Sequence, residues 1–378
     1  MHAHARALFA AITLFTVAVA LPGCGTTEEA SGDDSEDAVI VDNRTPLARA
    51  QYQANVTFAK GYKANCQMTH GRPRVLVTGF GRFMSIKDNA TGRLVSRIAG
   101  FDYPMTDPPA EGQIDPPGPQ TRTGSLSRAK LPKRGEVDFC GIILPVFWDL
   151  AAILIAKEIE AFQPDLVVMN GVAGSRQDLW IELGSVNRAM RSADGSDILV
   201  PYAPDGKEPT IISGAPMTKG LRLSWDVALR AASQSIEERK NVASGDLKLG
   251  DVLLGAKLAG FPRGGNTYLC NNVTYATNYL MDNPGKQVSL LRALDRKGPE
   301  DDYVRIGINA NMKKTPRVFM HWPSELVGHP ELLTAASDVL RDVIDAQLVA
   351  LASGAAADAP SLGQNEKAAD DLKGGEFF

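Results

Sequence analysis

Histidine and cysteine are scarce in this chain, 5 and 4 among 378 residues. Two of the histidines, His2 and His4, lie at the extreme N-terminus. No close set of His, Cys and Asp has the spacing of metal ligands, so no metal and no other cofactor is expected. The patterns G-x-G-x-x-G and G-x-x-x-x-G-K-S/T are both missing, which argues against a nucleotide site. A formal net charge of -4 and a pI near 5.8 carry no signal for nucleic acid. No internal repeat is visible.

The N-terminus has the layout of an export signal. His2, His4 and Arg6 precede an apolar run from Ala7 to Leu21, too short to be read as a membrane span, and Pro22-Gly23-Cys24 follows. Leu21-Pro22-Gly23-Cys24 resembles the lipobox of bacterial lipoproteins, with Pro22 where a small residue is usual. The resemblance implies residues 1–24 as a signal, a lipid on Cys24, and a location in the cell envelope. Residues 25–45 are acidic, with Glu28, Glu29, Asp33, Asp34, Glu36, Asp37 and Asp42 against Arg44. Such a stretch repels itself and cannot bury a core, so it reads as a flexible tether. Residues 353–378, rich in Ala, Gly, Asp and Lys, read as a mobile tail. Residues 46–352 are ample for one large domain or two small ones.

Within that body, Ala48 to Tyr62 reads as a helix. Cys66 could pair in an oxidising compartment. Cys140 lies in an apolar strand and reads as core, with a Cys66–Cys140 bridge as the alternative. Arg74-Val75-Leu76-Val77-Thr78-Gly79-Phe80 is a buried strand running into the turn Gly81-Arg82-Phe83. Loops at the carboxyl ends of such strands are where α/β sheets bind ligands. Phe80 and Phe83 could be core or could flank a flat apolar ligand. Asp102 to Pro119 reads as a loop. Val137 to Val146 is a strand, Trp148 to Phe162 an amphipathic helix, and Leu166 to Met169 a strand. This βαβ unit predicts an α/β fold, a three-layer αβα sandwich with a mixed, mainly parallel central sheet. Leu223 to Arg239 and Leu332 to Leu348 read as further helices.

Around Gly264-Gly265-Asn266-Thr267-Tyr268-Leu269-Cys270-Asn271-Asn272, turn formers give way to a helix that Asn271 or Asn272 could cap. A cysteine at that junction sits beside the positive end of the helix dipole, which suits a nucleophile. A lone cysteine could equally be a small buried apolar residue.

Four motifs in order resemble the pyroglutamyl peptidase I family of cysteine peptidases, from about Arg74 to Ile344. Val75 to Phe80 with Phe83 is similar to its opening VLVTGFxxF. Gly171 to Asn187 is similar to the loop that carries its catalytic Glu. Thr267-Tyr268-Leu269-Cys270-Asn271 matches its TxxCN, and Phe319-Met320-His321-Trp322-Pro323 its FIHVP. The resemblance implies one hydrolase domain over 46–352 and a Cys270–His321–Glu182 triad. Cys270 would attack an amide carbonyl, His321 would move the proton, and Glu182 would orient the imidazole. Phe80, Phe83 and Asn89 would line the acyl pocket, and Asn187 falls on a family Asn. Taken singly, His321 reads as structural and Glu182 as part of a solvated face, and His329 is the one rival histidine in the C-terminal part.

The chain also departs from the pattern. Val172 stands where the family has a pocket Gln, and Ser175 replaces a Gly. Ser192 falls on the position of a family Arg, which Arg188 or Arg191 could replace only after a shift. Extra sequence separates Glu182 from Cys270, and a charged insertion lies around Arg292 to Arg305. The implied substrate is a peptide or small acyl amide capped by pyroglutamyl or a similar group. The alternatives are an amidase for another small acyl cap, and a cell-envelope binding protein that has lost turnover. An oligomer is possible.

Overall fold

A computed structural model of the chain describes residues 39–83, 88–102, 124–262, 266–296 and 303–371. The export signal, Cys24, most of the acidic tether, the loop expected up to Pro119 and the centre of the charged insertion lie outside them.

Seven strands form the central sheet: β1 Arg74–Phe80, β2 Gly124–Leu131, β3 Gly135–Leu144, β4 Leu166–Val172, β5 Gln177–Glu182, β6 Leu253–Ala259 and β7 Arg317–Trp322. Their spatial order is β6-β5-β7-β4-β1-β3-β2. Four of the neighbouring pairs are parallel, while β5–β7 and β2–β3 are antiparallel. The sheet is therefore mixed and mainly parallel, as expected. Its centre reads as continuous apolar sequence because both faces are covered. In β1 every residue after Arg74 is buried, and so is every residue of β4 before Val172.

The helices are α1 Pro46–Gly61, α2 Ala90–Ala99, α3 Leu150–Phe162, α4 Trp225–Arg239, α5 Leu269–Asp282, α6 Pro330–Ala352 and α7 Leu362–Asp371. On one face α2 packs on the sheet and on α6, which also carries α4; on the other α3 packs on β1 and β3 with α1 and α5 beside it. Local chemistry sets the ends. Thr45 caps α1 by accepting from the Ala48 amide, with Pro46 in the first turn. Asn89 caps α2, and Gly100, at φ 63°, closes it in the left-handed region. Gly79 and Gly141 let α2 lie close to the sheet, since a Cβ on either would fall 2.3 Å from Thr91 O or Ala99 Cβ.

Three expectations are corrected. Cys140 is not a free core thiol: it is bridged to Cys66 with a Cα–Cα distance of 5.9 Å, and both residues are buried. Buried Glu158 holds the bridge region by accepting from Tyr62 Oη and from the amides of Asn65 and Cys66. The end of the expected tether belongs to the body. Ile40–Val41 pairs in parallel with Arg292–Ala293, and Val39, Val41 and Asn43 are buried. The segment after Ser353 is docked rather than loose as far as it is described. Asp358 O accepts from Trp225 Nε1 at 3.0 Å, and Asn365 Oδ1 accepts from the Phe261 amide at 2.7 Å. The extra sequence before Cys270 supplies α4 and the edge strand β6.

Candidate active site

Strand register brings the first two site residues together. In the antiparallel β5–β7 pair, Glu182 faces Phe319 and Trp180 faces His321. Side chains of directly opposed residues share a face and positions two apart along a strand return to it, so Glu182 and His321 are diagonal neighbours on one face. The imidazole closes the gap: His321 Nδ1 lies 2.8 Å from Glu182 Oε1. The carboxylate sits off the N–H axis, which makes the contact more an ion pair than an aligned hydrogen bond. Phe319 packs against the His321 ring with centroids 4.9 Å apart, and Trp180 meets it edge-on at 6.2 Å. Glu182 is buried, not part of a solvated face.

The third residue arrives from α5. Cys270 is the second residue of that helix, half-buried and unbridged. On the sheet below it, Gly171 is the β4 partner of His321. A Cβ on Gly171 would lie 2.8 Å from Cys270 Sγ and 2.8 Å from Phe319 Cζ, so only glycine leaves the sulfur its place. Burial disfavours the imidazolium of His321, but the Glu182 carboxylate and the hydrogen-bonded Cys270 outweigh it and push its pKa up to about 10.

Neither Asn271 nor Asn272 caps α5. The N-cap is Tyr268, which gives no side-chain hydrogen bond to the first turn. That end thus keeps backbone N–H groups beside Sγ without an intrahelical acceptor. The two asparagines are buried and fix the helix in place instead. Asn271 accepts from the Val186 amide at 2.9 Å and donates to Val186 O and Arg188 O. Asn272 exchanges two hydrogen bonds with Asp149, which in turn accepts from the Leu291 amide at 3.0 Å. Asp149, at φ 61°, is buried, and this desolvation raises its pKa to about 6.

Cys270, His321 and Glu182 line one cavity of about 770 Å³ with Phe80, Phe83, Asn89 and Val172. All seven predicted site residues of the body thus meet. Asn89 has a structural duty as well, since its Oδ1 accepts from both the amide and the hydroxyl of Thr91. Asn187 is elsewhere, holding the backbone of Ile211, Ile212 and Ala215. Arg188 and Arg191 do not line the cavity, whereas Ser192 does; Arg188 is 3.5 Å from Glu208. His329 precedes α6 and is not in the wall either. Sequence reasoning assigned no role to Gly171, Trp180 or Phe261. Trp180 was within reach, because it sits two residues before Glu182 on the same strand face.

The wall also includes Met190, Ser192 and Tyr268. Tyr268 packs edge-on against Phe83 and Trp148, and its hydroxyl donates to Ala193 O. Burial pushes its phenol far up. At the connection between β4 and β5, which are separated in the sheet by β7, Gly174 O accepts from the Ser324 amide at 2.9 Å and Arg176 pairs with Glu325 at 2.5 and 2.7 Å. These bonds tie the cavity rim to the turn that follows His321.

No family model matches the chain, and no curated protein matches it. Among solved structures it is similar to a pyrrolidone carboxyl peptidase from Thermococcus litoralis, at 17% identity and TM-score 0.46 over 77% of this chain and 100% of that one. It is also similar to pyroglutamyl peptidase I from Bacillus amyloliquefaciens, at 17% identity and TM-score 0.44 over 74% and 98%. A mutant pyrrolidone carboxyl peptidase from Pyrococcus furiosus gives 17% and 0.44 over 74% and 99%.

Proposed function

We propose that the protein is a cysteine-type hydrolase that cleaves the amide after an N-terminal acyl cap, with Cys270 as nucleophile, His321 as proton carrier and Glu182 as its orienting carboxylate. The observation that carries this reading is the half-buried Cys270 hydrogen-bonded to an imidazole that is itself paired with buried Glu182 in the wall of a cavity. The Cys270 sulfur adds to the carbonyl carbon while the thiol proton resides on His321. First-turn N–H groups of α5 stabilise the oxyanion. The C–N bond breaks as His321 returns the proton to the leaving amine, leaving a thioester. Water, deprotonated by His321, then releases the carboxylic acid and restores the thiol. Pyroglutamyl is the cap suggested by the four motifs that resemble the pyroglutamyl peptidase I family, and Val172 favours a different one.

Cys270→Ser is expected to drop turnover of acyl amides to background with an unchanged melting curve. An active Cys270→Ser protein, or full activity after alkylation of Cys270, would remove the proposal. A native protein that binds acyl amides without turnover would point instead to a binding protein of this fold.

We also propose that the chain is exported and held to a membrane by a lipid on Cys24. The lipobox-like residues support this, and so does the Cys66–Cys140 bridge, which belongs in an oxidising compartment. Intact-mass analysis of native protein is expected to show a diacylated Cys24, and an unmodified soluble chain would refute the anchor.

A further inference from the structure

The cavity is large for the cap suggested by the family motifs. Its volume of about 770 Å³ falls in the range of roughly 300–1,000 Å³ that accommodates drug-sized ligands. A five-membered lactam would leave most of it unfilled, and unfilled apolar space forfeits contacts. Phe80, Phe83, Val172, Trp180, Met190 and Phe261 dominate the wall. Among the described residues no Lys or Arg lines it. Glu182 Oε1 pairs with His321 while its Oε2 is buried without a partner, Cys270 hydrogen-bonds to His321, and Tyr268 donates to Ala193 O. Both acceptances of Asn89 Oδ1 go to Thr91, so Asn89 keeps only its amide nitrogen as a donor. That donor suits a carbonyl oxygen but cannot receive a lactam N–H. Val172 offers no side-chain acceptor at its position, which leaves Ser175, Ser192, Asn266 and Ser324 as the other neutral polar side chains of the wall beside the Tyr268 hydroxyl.

We propose that the site takes a large, uncharged, apolar acyl group, a medium-chain alkanoyl or an arylalkanoyl, on the carbonyl side of the scissile amide, in preference to the lactam cap. This rests on the reading of the site as an acyl-amide hydrolase. Selection comes from apolar area buried against the aromatic wall, so each methylene added to the acyl chain raises kcat/KM about fourfold until the cavity is full. A charged acyl group is rejected because the one cationic side chain of the described wall, His321, is already paired with Glu182.

The test is a series of 4-nitroanilides: pyroglutamyl, acetyl, butanoyl, hexanoyl, octanoyl, 3-phenylpropanoyl and succinyl. From acetyl to hexanoyl, kcat/KM is expected to rise by about 10²-fold or more. Pyroglutamyl should fall near or below butanoyl, and Val172→Gln should shift the ratio towards pyroglutamyl. A flat series, or pyroglutamyl as the best substrate, overturns the inference while leaving the hydrolase reading intact. Calorimetric titration of the Cys270→Ala variant with octanamide and with pyroglutamic acid amide gives a readout independent of turnover. Tighter octanamide binding supports the inference even if no anilide is cleaved, in which case the hydrolase reading alone fails. Equal or tighter binding of the lactam overturns it.

Discussion

Gly171 and Cys270 touch across the layer between sheet and helix, with the sulfur 2.8 Å from where a Cβ on the glycine would stand. Phe319 blocks that same Cβ position at 2.8 Å, and its ring also packs on His321. Gly171→Ala must therefore move Sγ, the Phe319 ring, or both. A displacement of about 1 Å at a reacting atom can cost 10²-fold in rate. The expected result is a loss of about 10²-fold in kcat with a smaller change in KM, read by steady-state kinetics.

Removing the charge from Glu182 tests the electrostatics of the pair. The raised pKa of His321, about 10, means that its imidazolium persists up to alkaline pH and is lost as pH rises through that value. Glu182→Gln keeps the shape and deletes a main source of the shift. The alkaline limb of the kcat/KM profile is expected above pH 9 in the native protein and should move to lower pH in Glu182→Gln. An unmoved limb would mean that Cys270 alone holds the proton on the ring.

Asp194 lies in the loop that supplies Met190 and Ser192 to the cavity wall. Burial raises its pKa from 3.8 to about 7, although Ser196 and Leu199 donate to Oδ1, while Oδ2 has no partner. A carboxyl with a raised folded-state value binds a proton when folded that the unfolded chain has already released. Its stabilising contribution is complete below pH 3.8 and is lost as pH rises through about 7. Melting temperature should therefore fall between about pH 4 and pH 7 and level off above that, with a slope from this group of at most ~1.4 kcal/mol per pH unit. Asp194→Asn should flatten that slope in thermal melts across the same range.

The Cys66–Cys140 bridge closes a loop with a sequence separation of 74 residues. Loops of that size restrict the unfolded chain by about 4 kcal/mol in the chain-entropy account. Replacing both cysteines by Ala should lower stability by roughly 2–4 kcal/mol in denaturant melts, while leaving kcat unchanged at a temperature where the variant stays folded. Mild reductant thus has two opposed effects on the native protein, protecting Cys270 from oxidation and weakening the fold.

Periodicity and apolar runs carry far in this sequence. The βαβ unit β3–α3–β4, the opening strand β1 and helices α1, α4 and α6 are legible because their apolar residues recur at strand or helix spacing. The edge strand β2 is not, since Ser125, Ser127, Arg128 and Lys130 give it a polar composition; exposed charges suit an unpaired edge. Strand β6 hides for a different reason. Gly255, Ala256 and Lys257 have low strand propensity; Ala256 and Lys257 are held by pairing with β5, and Gly255 falls where the register shifts. Cys270, His321 and Glu182 are legible through the order of the four motifs, since each residue taken singly reads as readily as core, structural or solvated. The asparagines beside Cys270 were misread as caps because their partners, Val186 and Asp149, are remote in sequence. A long-range disulfide has no local pattern at all.

The docking of Asn365 against the Phe261 amide has a consequence for the order in which the protein becomes competent. Chains emerge N-terminus first, so Cys270 and His321 leave the ribosome before the residues that brace Phe261. A nascent chain can bring the thiol and the imidazole together while that side of the cavity still lacks its outer support. Helix α7 then acts as a late keystone: the pair can be assembled early, but a finished cavity wall waits until that helix has been made. Proteolytic loss of that helix would run the sequence backwards, loosening the wall at Phe261 before it reaches Cys270 and His321.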